Sequence, residues 1–201
     1  MKDTLAAAGP AEPTNHAAMC GIVGYVGNRE CLDILLKGLG RLEYRGYDSA
    51  GVAILDGDLA VTKCAGKVRE LGSRLAGAPP HGTVGIGHTR WATHGPPTDT
   101  NAHPHVGATG AVALVHNGII ENYAALKATL QSQGRTFRSQ TDSEVVVQLI
   151  EEVLAGDPGL SFEAAVRLAL KQVTGTYGLA MVNRNEPDRL YVARKGSPLV
   201  I

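Results

Sequence analysis

The sequence predicts a layered α+β fold. Apolar segments with strand character follow one another in pairs joined by short turns, as antiparallel strands do. Segments with helical spacing of leucine and valine fall between groups of these strands. Helices in these positions cover sheets whose other faces meet in a core. The strand order does not follow from these patterns.

The first half of the chain alternates between strands and helices. Residues 1–19 are rich in Ala, Pro and polar residues without periodicity, so we expect a disordered extension. A buried strand over 20–26 and a helix over 30–43 follow. Two segments flank the turn at Asp56, Gly57 and Asp58, which predicts a hairpin. The remaining elements are a helix over 67–75 and a strand over 83–91.

The second half begins with a long loop over 92–110, which has little periodicity and reads as functional. The spacing of Thr141 and Glu144 fits a capping box, which predicts the start of a helix. The elements predicted after the loop are a strand over 111–118, helices over 121–133, 142–155 and 161–173, and a hairpin of 177–183 with 189–195.

Composition excludes several classes of protein. The 201 residues are 44% hydrophobic, which suits one domain with a sizeable core. Nineteen basic and nineteen acidic side chains cancel, which argues against a nucleic acid or an anionic membrane as partner. No apolar run approaches the roughly 18 residues of a membrane helix. Three cysteines in no ligand spacing argue against a disulfide framework, and we expect a cytoplasmic protein.

Several histidines raise the question of a metal site. Four of them lie within eighteen positions, but their spacing matches no common ligand motif and no cysteine or acidic pair accompanies them. We therefore expect no metal and no cofactor, and interpret the histidines as hydrogen-bonding groups that stiffen the long loop. These residues are His88, His94, His103 and His105.

Five short segments concentrate residues suited to chemistry: CGIVGYVG, LEYRGYDSAG, GHTRWATHG, HNGIIENY and QTDSEV. In this order they resemble the N-terminal-nucleophile glutaminase domain of class II glutamine amidotransferases, and most closely the branch that uses fructose 6-phosphate. The resemblance covers residues 19–201. It implies a four-layer αββα sandwich over 20–201, truncated at its C-terminal end. It also implies L-glutamine as substrate and absent sugar isomerase domains as partners, through which the parent protein could form a homo-oligomer.

The resemblance makes Cys20 the nucleophile. A model thiol has a pKa of about 8.5 and needs a base, and the residue's own α-amino group, with a reference pKa of about 7.7 to 8.0, is a suitable one. The alternative is that Cys20 is a small apolar filler. That reading fits Cys31, on an apolar helical pattern, and Cys64, at a strand end, better than Cys20.

The resemblance also assigns an oxyanion hole. The amide of Asn117 and the backbone N–H of Gly118 match the family's pair of donors, and losing one such donor costs roughly 2.7 to 4 kcal/mol of barrier. An Asn-Gly pair after a strand is otherwise more often a tight turn. The surrounding segment HNGIIEN favours the oxyanion hole.

Free glutamine presents a carboxylate and an ammonium group, so its site needs a fixed cation and a fixed anion. By resemblance these are Arg90 and Asp142, although Arg90 could be a surface charge and Asp142 could stabilise a helix start. The loop after Arg90 closes over glutamine in the family. The matching residues in this loop are Trp91, Thr93 and His94, although Trp91 could instead be packed in the core. The last match is Arg45, which lies beside the nucleophile in the family and could instead be a cation at a helix end.

The extension conflicts with this chemistry, because Cys20 follows nineteen residues and an amide nitrogen cannot act as a base. We therefore expect a mature form that begins at Cys20, made by translation from Met19 with removal of that Met or by cleavage of a propeptide. The competing hypothesis is a catalytically silent module that binds glutamine or serves assembly, which holds if residues 1–19 are never removed.

Overall fold

A computed structural model describes residues 20–92 and 94–200. The predicted extension over 1–19, the candidate lid residue Thr93 and the terminal Ile201 lie outside the described residues. No helix in the described part of the chain is both long and apolar enough to cross a membrane.

The first sheet has four antiparallel strands: β1 (Gly21–Val26), β2 (Ser49–Asp56), β3 (Asp58–Ala65) and β4 (Val84–Arg90). Their order is β1-β4-β2-β3. The hairpin predicted at Gly57 is present, and this residue has the positive φ of 65° that a tight turn favours. The prediction that β1 is a buried strand is wrong in part, because it lies at the sheet edge and Val26 is 49% exposed.

The second sheet is also antiparallel and contains β5 (His105–Val106), β6 (Val112–Ile120), β7 (Gly175–Asn183) and β8 (Tyr191–Lys195), in that order. The hairpin predicted near the C-terminal end is present as β7 and β8. The prediction that 92–110 is entirely loop is wrong in part. This segment contains the short strand β5, which pairs with β6. Two residues are too few to show the alternation that identifies a strand.

In residues 20–92 and 94–200, five helices cover the sheets, and all five were predicted with ends that differ by a few residues. They are α1 (Leu32–Leu42), α2 (Val68–Leu75), α3 (Tyr123–Ser132), α4 (Ser143–Gly156) and α5 (Phe162–Leu170). A 3₁₀ turn, Glu43–Arg45, follows α1.

Three apolar clusters order these elements into four layers. Along β2, Val52 and Ile54 pack with α1 and α2, whereas Ala53 and Leu55 face the second sheet. Along β6, Leu114 packs with α4 and α5 on the opposite side of the molecule. Alternate residues of one strand thus enter different layers, as the pleat requires. The result is the αββα sandwich that the resemblance implied.

The start of α4 departs from the predicted capping box. Thr141 Oγ1 accepts the N–H of Glu144 at 3.4 Å, but Asp142 occupies the N-cap position and its side chain makes no capping bond. The Glu144 carboxylate instead accepts the backbone N–H groups of Arg138 and Ser139, at 2.9 and 2.6 Å. The spacing predicted the correct helix start, but the carboxylate fixes the preceding loop.

Four histidines lie buried where the two sheets meet. His88 stacks on His103 with ring centroids 4.2 Å apart, and His103 meets His105 at 4.5 Å. His105 Nε2 lies 2.9 Å from Thr141 Oγ1, and His116 Nδ1 lies 2.8 Å from a serine hydroxyl at the start of α4. The interpretation that His88, His94, His103 and His105 stiffen the long loop by hydrogen bonds is wrong for His88 and His103. His88 belongs to β4, and neither ring nitrogen of His103 has a hydrogen-bond partner within the described residues.

Burial keeps these rings neutral. It lowers the pKa of His88 to about 3 and holds the pKa values of His103 and His105 well below the usual range. Burial also lowers the pKa of His116, although the negative charge of Asp142 opposes this effect. A folded-state pKa below the unfolded value of about 6.5 means that the unfolded chain binds more protons.

Stability should therefore be complete above about pH 6.5 and fall as the pH decreases toward the folded-state pKa values. Each such imidazole adds about 1.4 kcal/mol per pH unit to the slope, so His103→Met should lower the slope of unfolding free energy by about that amount. Urea unfolding at several pH values measures it. His81→Gln is the control, because it removes an imidazole that lies on the surface beside Glu30, with a side chain 73% exposed, and not one in the core.

Lys63 holds the loop that carries His103. Its Nζ donates to the backbone carbonyls of Thr100 at 3.2 Å, Ala102 at 2.7 Å and Pro104 at 3.1 Å. An ammonium group has three N–H donors, and the three carbonyls match them. This contact fixes the segment between β4 and β5 against β3.

We expect Lys63→Met to lower the free energy of unfolding by about 2–4 kcal/mol, because carbonyls lose a charged donor that the thioether cannot replace. Chemical denaturation measures the change. Lys37→Met makes the same chemical replacement at an exposed i,i+4 pair with Asp33, and should cost less than about 0.5 kcal/mol. Equal losses in the two variants would contradict this assignment for Lys63.

Candidate active site

A cleft of about 1050 Å³ opens where β1 begins, β4 ends and α4 starts. The β1–β4 register pairs Gly21 with Thr89, so the residue before β1 lies beside the residues that follow β4. The cleft brings together eight of the nine residues that the sequence singled out, Thr93 lying outside the described part. These eight are Cys20, Arg45, Arg90, Trp91, His94, Asn117, Gly118 and Asp142.

The Cys20 thiol sits against the backbone of Trp91. Its Sγ accepts the Trp91 N–H at 3.3 Å and lies 3.6 Å from the Trp91 carbonyl oxygen. Burial raises the pKa of this thiol above its usual value. The hydrogen bond from the Trp91 N–H opposes this rise, the negative charge of Asp48 adds to it, and the positive charge of Arg90 opposes it by a smaller amount. The surroundings thus favour the protonated thiol, and a nucleophile at this position needs a base. Cys31 and Cys64 are fully buried, as expected of apolar fillers.

Sequence reasoning missed Asp48, which supports the residues around the thiol. Its carboxylate accepts the backbone N–H of Ala92 and the hydroxyl of Ser49, the latter at 3.0 Å. Its own backbone N–H donates to the Arg90 carbonyl at 3.1 Å. Asp48 therefore ties the start of β2 to the segment that contacts Cys20. Its place within LEYRGYDSAG was the available signal.

Asn117 faces Cys20 from the second sheet. Its Nδ2 donates to the Cys20 carbonyl oxygen at 2.9 Å, and its Oδ1 lies 2.9 Å from His88 Nε2. The pair Asn117 and Gly118 belongs to β6 and is not a tight turn. Gly118 has φ of 133°, and a Cβ there would lie 2.2 Å from the Thr176 carbonyl oxygen, so only glycine fits.

Arg90 is 3% exposed, which excludes the reading of a surface charge. Its guanidinium donates to the backbone carbonyls of His94, Gly95 and Pro96, with distances of 3.1 Å to Gly95 and 3.3 Å to Pro96. Arg90 therefore shapes the loop that follows β4 as well as lining the cleft. Its predicted role as a fork for the glutamine carboxylate remains a prediction.

The residues around the cleft rim are partly open. Trp91 is 37% exposed and meets the Tyr47 ring edge-on at 5.3 Å, so the alternative of core packing is wrong. His94 contacts the Tyr123 ring at 5.5 Å. Arg45 closes the 3₁₀ turn after α1, which places it at a helix end and also on the cleft wall.

Asp142 is 4% exposed at the start of α4 and lines the cleft. Its Oδ2 accepts the backbone N–H of Ile120 at 2.8 Å, and its Oδ1 lies 3.4 Å from the Ser143 hydroxyl. The carboxylate thus links the end of β6 to α4. Asp142 does stand at the N-cap position of α4, as the alternative interpretation has it. Its side chain, however, accepts no N–H group of the helix.

Within the described residues, no group of three or more His, Cys, Asp or Glu side chains is arranged to hold a metal ion. Among the buried histidines, His88, His103 and His105 stack, and the rings of His88, His105 and His116 bond to carbonyl or hydroxyl groups. Their arrangement therefore shows no donor set for a metal.

Comparison with known proteins agrees with this geometry. The family model described as a glutamine amidotransferase domain matches residues 54–195. The glutamine–fructose-6-phosphate aminotransferase (isomerizing) of Chlorobaculum tepidum is 55% identical over 190 residues, covering 91% of this chain and 30% of that protein. The enzyme of the same name from Thermococcus kodakarensis is 54% identical over 184 residues, with the same coverage. The chain thus spans about 30% of the length of these curated relatives.

Solved structures give the same result. Glutamine phosphoribosylpyrophosphate amidotransferase from B. subtilis superposes with a TM-score of 0.70 and 28% identity, covering 81% of this chain and 35% of that chain. The αββα layers are those of the N-terminal-nucleophile hydrolase type. With the family match over most of the chain and Cys20, Asn117 and Asp142 gathered in one cleft, the chain belongs to the glutamine amidotransferase domain family.

Proposed function

We propose that the form of this chain that begins at Cys20 hydrolyses the side-chain amide of L-glutamine to glutamate and ammonia through a γ-glutamyl thioester on Cys20. The observation that carries the proposal is the contact of Asn117 Nδ2 with Cys20 across 97 positions of sequence. This contact sets a side-chain amide donor beside the backbone of the residue that carries the thiol, in a cleft large enough for an amino acid.

The reaction begins when the Cys20 sulfur attacks the amide carbon of glutamine. The free α-amino group of Cys20 takes the thiol proton, and the proton passes to the leaving nitrogen as ammonia departs. The negative oxygen of the tetrahedral intermediate needs N–H donors fixed in advance. Asn117 has a second N–H beyond the one that meets Cys20, and the backbone N–H of Gly118 is the other donor. Water then hydrolyses the thioester to glutamate.

Substrate selection rests on the two buried charges of the cleft. The Asp142 carboxylate pairs with the α-ammonium of glutamine. Three N–H groups of Arg90 meet carbonyls of the described loop residues, and its guanidinium has further N–H donors, which we assign to the glutamine carboxylate. Trp91, Thr93 and His94 form the loop that covers the substrate, and Arg45 lies on the wall beside Cys20. Because Arg90 bonds to the loop backbone, carboxylate binding and loop position are coupled.

In a longer parent protein, the released ammonia is transferred to fructose 6-phosphate to make glucosamine 6-phosphate. The names and lengths of the curated relatives support this part of the proposal. The sugar isomerase domains of the parent are then the partners of this chain, and contacts among them form a homo-oligomer. Three free thiols suit the reducing cytoplasm as the compartment.

The base can be tested by comparing a chain that begins at Cys20 with the same chain carrying residues 1–19. We expect glutaminase activity only in the first form, because acylation of the nitrogen removes its basic lone pair. A glutamine-mimicking diazoketone should label Cys20 in the first form alone. Intact mass and ammonia release measure the two effects.

Cys20→Ala in the form that begins at this residue is the control, since it should abolish turnover and spare glutamine binding. Full turnover by a protein whose mass retains residues 1–19 would refute the amine as base. A chain that binds glutamine but releases no ammonia in either form would support the silent binding module, the competing hypothesis.

Asp142→Asn tests the ammonium partner. The amide oxygen can still accept the Ile120 N–H, but the negative charge is lost, so KM for glutamine should rise by about 10- to 100-fold with a smaller change in kcat. Steady-state ammonia release measures both constants. Asp157→Asn at the far end of α4 is the matched control and should change neither constant, because Asp157 is an exposed loop acceptor for Gly159. An unchanged KM in Asp142→Asn would remove Asp142 from the substrate site.

A further inference from the structure

His88 is a candidate for a role that the proposed mechanism does not use. It is fully buried in β4, and its Nε2 lies 3.1 Å from the His116 carbonyl oxygen and 2.9 Å from Asn117 Oδ1. It is absent from the residues of the described chain that line the cleft. Of these two contacts, the one with Asn117 reaches a candidate oxyanion donor of the proposed mechanism.

The backbone carbonyl of His116 decides which ring nitrogen of His88 carries the proton. A carbonyl oxygen can only accept, so Nε2 at 3.1 Å must be the protonated nitrogen. The neutral ring has one proton, and Nδ1 is then bare. The assignment of this tautomer therefore rests on the backbone carbonyl of His116 and not on the orientation of a side-chain amide.

The tautomer in turn decides the orientation of the Asn117 amide. An N–H at Nε2 attracts the amide oxygen and repels the amide NH₂, so Oδ1 turns toward His88 and Nδ2 turns toward Cys20. The opposite orientation would place an oxygen lone pair where the negative oxygen of the intermediate develops. It would also bring the lone pair against the Cys20 carbonyl oxygen.

We propose that His88 is a positioning residue that holds the Asn117 amide with its NH₂ group toward the nucleophile, by sharing its one Nε2–H between the His116 carbonyl oxygen and Asn117 Oδ1. The proposal rests on the proposed function for its kinetic consequence. The orientation itself is independent of whether the chain turns over glutamine. A donor held in place before the reaction costs no reorganisation when charge develops.

The tautomer is measured directly on the 201-residue chain. Long-range ¹H–¹⁵N correlation spectra of the imidazoles should show His88 with a protonated Nε2 and a bare Nδ1, the ring being assigned by through-bond correlations to the His88 backbone. A His88 ring protonated on Nδ1 alone would overturn the proposal. This measurement requires neither activity nor a substitution of His88. It therefore determines the His88 tautomer even if His88 variants do not fold.

Kinetics test the consequence in the form of the chain that turns over glutamine. His88→Leu should lower kcat by about 10- to 100-fold and leave KM for glutamine within about threefold, because only the charge-stabilising donor is disordered. His88→Gln places an amide nitrogen at a similar reach and should retain kcat within about threefold of the parent. A rise in KM with unchanged kcat in His88→Leu would overturn the proposal.

A double-mutant cycle separates positioning from a general loss of structure. In an Asn117→Ala background there is no amide to orient, so adding His88→Leu should lower kcat by less than about twofold. Multiplicative losses would overturn the proposal, since they would show that His88 acts without Asn117. If the parent chain releases no ammonia, the proposed function fails, and the imidazole spectrum still decides the orientation.

Discussion

The antiparallel register of β1 against β4 is the constraint on which the candidate site depends. Gly21 opposite Thr89 places Cys20 against the backbone that leaves β4. A shift by one residue would move every β1 side chain to the other face of the sheet and take the thiol from the Trp91 amide. Cys20 precedes the strand and has no ladder bonds of its own. Its position is therefore inherited from the pairing of Gly21–Val26.

The second constraint is the close approach of the two sheets at the cleft. Small side chains such as Ala53, Ala113 and Ala180 occupy the layer between them, which leaves room for the buried imidazoles beyond. Apolar side chains would be buried there at a lower cost in free energy, because even a neutral imidazole requires hydrogen-bond partners for its polar atoms. The rings instead link β4 to β6 and α4, the elements that carry Asn117 and Asp142. The site thus depends on polar contacts inside the core.

The sequence was sufficient to predict the helices, the two hairpins and the layered class, because these features repeat with a period over many residues. Local patterns could not show that β5 exists, that β1 is an edge strand or that Glu144 bonds backward to Ser139. Short motifs were sufficient to identify the residues that line the cleft. That these residues lie together depends on strand pairings between distant parts of the chain. Asp48 and His88 stood in quoted motifs, but their partners are distant in sequence and no spacing identifies them.

The surroundings of the thiol and those of the amide suit different steps of one reaction. Burial disfavours charge at Cys20 before attack, so the sulfur remains a thiol until a base and a substrate are both present. The same exclusion of water strengthens any N–H donor aimed at the oxygen that becomes negative. In the proposed mechanism, the neutral ring of His88 orients Asn117 and therefore affects the step in which the oxyanion forms.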